Sequence, residues 1–81
     1  MIVKTIILAA SSEEPARVRA IAVGTGYGII DPVRSKEDVM VTHRNAAMEV
    51  AARYTGNTEC AWSAKLRSRT RDGCFFDIEP A

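Results

Sequence analysis

The strongest constraint on this chain lies at its C-terminal end. Cys60, Trp62, Ala64 and Leu66 alternate with Ala61, Ser63, Lys65 and Arg67, and beyond Asp72-Gly73 the residues Cys74, Phe76 and Ile78 alternate with Phe75, Asp77 and Glu79. Period two on both sides of an Asp-Gly step is the signature of a β-hairpin, read here as residues 59–79. A three-residue loop, Arg71-Asp72-Gly73 with Gly73 left-handed, places Thr70 opposite Cys74, Ser68 opposite Phe76 and Leu66 opposite Ile78. This register keeps the apolar faces of the two strands together, as burial demands. It also puts Cys60 about 33 Å from the position opposite Cys74, which rules out a disulfide within the hairpin.

Upstream, Ile2 to Ala9 is apolar almost throughout and rich in Ile, Val and Thr. It reads as a central strand buried on both faces, rather than as the short core of a signal peptide. Ser11-Ser12-Glu13-Glu14-Pro15 then resembles a capped helix start, and Val18, Ile21 and Ala22 follow at helical spacing up to Gly24. The preferred reading of residues 13–23 is therefore helix. The rival is a turn at 11–15 with a strand from Arg17. Gly24-Thr25-Gly26-Tyr27-Gly28 is a corner before a short Ile29-Ile30 strand. These glycines match neither a dinucleotide loop nor a P-loop.

The clearest helix lies within Ser35–Tyr54, and its best-defined part is His43–Tyr54. There Ala47, Val50, Ala51 and Tyr54 share one face, Glu49 precedes Arg53 by four, and Gly56 supplies the left-handed end. Either Ser35 caps a long helix, or Asp38–Val41 is a strand and Thr42 the cap. The β-branched run Val39-Met40-Val41-Thr42 favours the second.

These elements predict one α+β domain over residues 1–81. It has a mostly antiparallel sheet, one or two helices on one face, and the C-terminal hairpin. At 81 residues and 47% hydrophobic content the core is thin. Eleven basic and ten acidic side chains leave a net charge of +1, so no global field steers the molecule onto nucleic acid or an anionic membrane. No apolar run is long enough to span a bilayer, and two cysteines read as reduced thiols point to the cytoplasm. One histidine and two distant cysteines cannot make a tetrahedral metal site, and no cofactor motif is present. His43 is expected half-exposed in the first helical turn, with a structural role. Trp62, Phe76, Tyr27 and Tyr54 are expected in the core.

The surface feature that stands out is Lys65, Arg67, Arg69 and Arg71. At every second position of an extended strand, four cations project to one face, with Phe75 beside them. Their steps of about 6.6–6.8 Å approach the phosphate spacing of a nucleic acid strand. In the predicted register Glu79 faces Lys65, Asp77 faces Arg67 and Phe75 faces Arg69. Two cations are then balanced by acids, and Arg69 and Arg71 are left unpaired near the tip.

In build, Thr42-His43-Arg44-Asn45-Ala46-Ala47-Met48-Glu49-Val50-Ala51-Ala52-Arg53-Tyr54 followed by the hairpin resembles small phage and mobile-element proteins of the anti-CRISPR type. Several of these join a capped, Ala-rich helix to a terminal hairpin. The resemblance implies non-enzymatic inhibition by binding a host machine. Many such inhibitors are strongly acidic DNA mimics, which this chain is not. Three functions follow in order. The first is a non-catalytic protein-binding inhibitor or regulator using Lys65, Arg67, Arg69, Arg71 and Phe75. The second is a nucleic-acid-binding protein using the same face. An enzyme comes third, because no nucleophile–base pair is apparent. The oligomeric state stays open, a homodimer included.

Overall fold

The β-branched run of Ile2–Leu8 forms strand β1, the centre of the sheet in the computed structural model, which describes residues 1–33, 38–71 and 73–81. Strands β2 (Arg17–Ala22) and β3 (Tyr27–Pro32) follow, then helix α1 (Val39–Thr55), β4 (Trp62–Arg69) and β5 (Cys74–Pro80). The sheet order is β3-β2-β1-β5-β4, with every neighbouring pair antiparallel. The chain crosses from one edge of the sheet to the other through α1, which covers one face. The α+β class and the C-terminal hairpin are as expected from the sequence.

Residues 13–23 are not a helix. Ser11 does act as a cap, its Oγ accepting from the amides of Glu13 and Glu14, but the segment it closes is a turn, with Ser11 N–H donating to Glu14 O at 2.8 Å. From Arg17 onward the period is two: Val18, Ala20 and Ala22 are buried beneath the helix, and Arg17, Arg19 and Ile21 point the other way. The apolar run Ala20–Val23 obscures this alternation, because beyond Arg19 the outward positions Ile21 and Val23 are apolar too. Gly24 and Gly26 take φ of 82° and 75° in the turn to β3, a conformation glycine adopts without strain.

The helix starts earlier than the favoured Thr42. Asp38 is its cap, with Oδ1 accepting from Met40 N–H at 2.8 Å, and Val39 to Val41 are helical. Ser35, the alternative cap, lies outside the described residues. Gly56 ends the helix at φ 72°, as expected. Ala46, Ala47, Val50 and Ala51 meet Val3, Ala20, Ala22, Phe76 and Ile78 across the layer. Alanines on both sides let helix and sheet approach closely, so a thin core still packs densely. Tyr27 and Tyr54 meet at one end, ring centroids 5.5 Å apart, and are not the core residues expected: Tyr27 is half-buried and Tyr54, in the last turn of the helix, is exposed. Trp62 is half-buried against the core, its indole N–H donating to Asn57 O at 3.0 Å.

One helix covers one face only. β1 is therefore not buried on both sides: Val3 and Thr5 are fully enclosed, while Ile2, Ile6 and Leu8 are only half-buried on the open face.

Candidate functional site

The hairpin register decides where the four cations go. Thr70 N–H donates to Gly73 O at 2.7 Å, so two positions, 71 and 72, make the loop rather than three; Asp72 itself lies outside the described residues. Gly73 is not left-handed. It must be glycine because a Cβ there would overlap the carbonyl oxygen of Thr5 and stand 2.7 Å from Ile6 Cγ2. A tight turn of this parity would, unbroken, set Arg67 opposite the fully buried Phe76. A β-bulge between Leu66 and Ser68 prevents it. Arg67 becomes the extra residue, Leu66 faces Phe76, Ala64 faces Ile78, and Ser68 faces Phe75.

The bulge breaks the comb. Lys65 stands opposite Asp77, not Glu79, on the open face of the sheet; Glu79 faces Ser63. Arg67 leans from the bulge onto Asp77, Nη1 to Oδ1 at 3.1 Å. Arg69 faces Cys74, not Phe75, and so turns to the helix side. The five residues Lys65, Arg67, Arg69, Arg71 and Phe75 therefore do not share one face. Phe75 does lie on the open face, where the Lys4 ammonium sits 5.6 Å from its ring centroid.

Two surfaces result. The first is the open sheet face, which carries rows of directly opposed side chains. One row is Leu8, Arg17 and Pro32; the next is Ile6, Arg19 and Ile30; a third runs Ile21, Lys4, Phe75 and Ser68; a fourth holds Ile2, Asp77 and Lys65. Aliphatic groups and cations alternate along it. Arg17 is tied to Glu14 at 2.9 Å and Arg67 to Asp77, whereas Lys4 and Arg19 have no acidic partner among the described residues. Nothing in the period of any single strand placed Lys4, Arg19 and Ile30 together, and only the strand order does so.

The second surface is a hollow of about 160 Å³ on the helix side, at the turn end of the hairpin. His43, Arg69, Arg71 and Cys74 line it. His43 is not half-exposed as expected; it is 5% exposed, because strand β1 passes beneath it. Thr5, fully buried, lies 2.6 Å from its Nδ1 through Oγ1. That hydroxyl has no other hydrogen-bond acceptor among the described residues, so it donates to Nδ1 and leaves the ring proton on Nε2. Burial first, and the positive charge of Arg69 second, push the His43 pKa below its ordinary value. Both effects favour the neutral ring.

A larger hollow, of about 380 Å³, lies between α1 and β3 and includes Asp31, Glu49 and Arg53. There Arg53 ties Glu49 at 2.8 Å and Asp31 at 3.8 Å, pairing its charges internally.

His43 and Cys74, which nothing in the sequence brings together, share the smaller hollow. No hydrogen bond joins thiol to ring among the described residues, Cys74 is 1% exposed, and no acid orients the ring. This is not the geometry of an activated thiol. Among the described residues no group of three His, Cys, Asp or Glu side chains could hold a metal, and no helix is long and apolar enough to cross a membrane. No protein-family model, curated protein or solved structure matches the chain.

Proposed function

We propose that the protein is a non-catalytic binding protein that docks an acidic protein partner on the open face of its sheet. The observation that carries this reading is the Ile6–Arg19–Ile30 row, flanked by Lys4 and Ile21. It is an aliphatic bed, uncovered by any described element, that holds two cations without acidic partners. Aliphatic surface beside guanidinium and ammonium groups suits a protein interface, where apolar burial supplies affinity and charge supplies orientation. Single-stranded nucleic acid is better served by stacking platforms. Among the described residues Phe75 is the one aromatic ring on this face, and the Lys4 ammonium already sits against it. The resemblance in build to anti-CRISPR inhibitors gives the specific form of the proposal, inhibition of a host machine by occupation of one of its surfaces. A cytoplasmic setting, with both thiols reduced, belongs to the same reading.

Arg19 and Ile30 are both exposed and directly opposed, so Arg19→Glu with Ile30→Glu reverses the face without touching the core. The partner is identified by capture from the native host and then purified, and the complex is rebuilt from the two components. The double variant is expected to weaken it by about 2 kcal/mol or more, roughly 30-fold, as for loss of an interface centre. Arg44→Glu, on the exposed side of α1, should leave it unchanged. The proposal fails if the double variant binds like wild type. It also fails if the face instead binds oligonucleotides in a steeply salt-dependent way, or if sedimentation shows a second copy of the chain on it.

A further inference from the structure

We infer that the hollow at the turn end of the hairpin is an oxyanion site, built for the dianionic head of a phosphate monoester and separate from the open sheet face. Two guanidinium groups, Arg69 and Arg71, border it, and neither has an ion-pair partner among the described residues. No carboxylate is among its described lining. His43 contributes a neutral donor. Its Nδ1 is held by Thr5, and its Nε2 has no hydrogen-bond partner among the described residues and is not fully enclosed. The ring meets solvent in this hollow, so Nε2–H is presented there.

The bulge is what assembles the cluster. Continued outward alternation from Lys65 would have put Arg69 on the open face; the extra residue Arg67 turns it inward, beyond Leu66, beside His43. Liquid water fills about 30 Å³ per molecule, so 160 Å³ holds a few waters or one phosphate-sized group. Charge selects among anions. Two cations bordering one cavity balance a dianion, whereas a carboxylate or phosphodiester leaves one uncompensated. The planar guanidinium forks match phosphoryl oxygens, and Nε2–H adds a third donor without adding charge.

The test is a two-dimensional amide and side-chain NMR titration of the full chain at constant ionic strength. It is run at about pH 7.5, where phosphate monoesters are largely dianionic. The probes are inorganic phosphate, phenyl phosphate and dimethyl phosphate. The expected result is saturable shifts confined to Gly73, Cys74, the Arg69 and Arg71 Nε–H groups and the His43 ring, with phenyl phosphate about tenfold or more tighter than the diester. If phenyl phosphate also exceeds inorganic phosphate, the site belongs to an organic monoester; if the two are equal, it belongs to free phosphate. Arg69→Ala with Arg71→Ala should weaken binding about tenfold or more while the rest of the spectrum stays folded. Arg19→Glu should leave it unchanged. Shifts that never saturate, equal affinity for mono- and diester, or undiminished binding by the folded double variant would each overturn the assignment.

Discussion

Replacing Thr5 by valine tests the buried pair on which the His43 geometry rests. The change keeps the shape of the side chain and deletes only the hydroxyl that lies 2.6 Å from Nδ1. Thr5 is 0% exposed, so solvent does not reach its hydroxyl in the native fold. A buried acceptor left unpaired costs about 1–3 kcal/mol, and the added methyl returns somewhat less than the roughly 0.8 kcal/mol of a fully buried methylene. The net loss is about 0.5–2 kcal/mol. Against a total of about 4–12 kcal/mol for a domain of this size, that is a substantial fraction. At about 4–8 °C per kcal/mol it lowers Tm by about 2–15 °C. Trp62 is the single tryptophan and packs against the core, so its fluorescence reports both thermal and urea unfolding. His43→Leu strands the Thr5 hydroxyl instead and should lose a similar amount. The double variant removes both polar groups and should be more stable than the sum of the two losses requires, because neither partner is then left alone. Strictly additive losses, or a Thr5→Val protein that melts within about 1 °C of wild type, would show that this contact holds nothing together.

Two further outcomes follow from the same region. Gly73→Ala drives a methyl into the Thr5 carbonyl and should cost about 1–3 kcal/mol or more by prising the hairpin from β1, seen as faster hydrogen exchange at the β1–β5 amides. Because the folded protein lowers the His43 pKa, the unfolded chain takes up the proton first as pH falls. Stability is therefore full above the unfolded value of about 6.5 and is lost as pH drops from there through the folded pKa. Urea midpoints between about pH 7.5 and 5 should record this loss. It should disappear in His43→Leu and shrink in Arg69→Ala, since Arg69 is the second cause of the shift.

What could be read from the sequence was what neighbours within a few residues determine. The hairpin, the helical face Ala47, Val50 and Ala51, the Glu49–Arg53 pair and the Gly56 end are all set by local period and capping, and all are found in the fold, although Tyr54 at the end of that face is exposed. The α+β class follows from those elements together. Residues 17–22 resisted the same reading because Ile21 and Val23 make the outward face apolar, and that removes the contrast that distinguishes period two from period 3.6. Asp38 was passed over as a cap because three of the four residues after it, Val39, Val41 and Thr42, have β-branched side chains.

The rest was decided in three dimensions. A turn that pairs Thr70 with Gly73, pressed against Thr5, has the wrong parity to set Leu66 opposite the buried Phe76, and only an extra residue in β4 reconciles the two demands. That single bulge divides four regularly spaced cations between two faces of the sheet. Strand order then sets Ile6, Arg19 and Ile30 in one uncovered row and lays Thr5 under His43. Neither contact exists until separate elements are brought together, β1 to β3 side by side in the first case and α1 over β1 in the second, because such packing depends on which faces are buried together rather than on any short stretch of sequence.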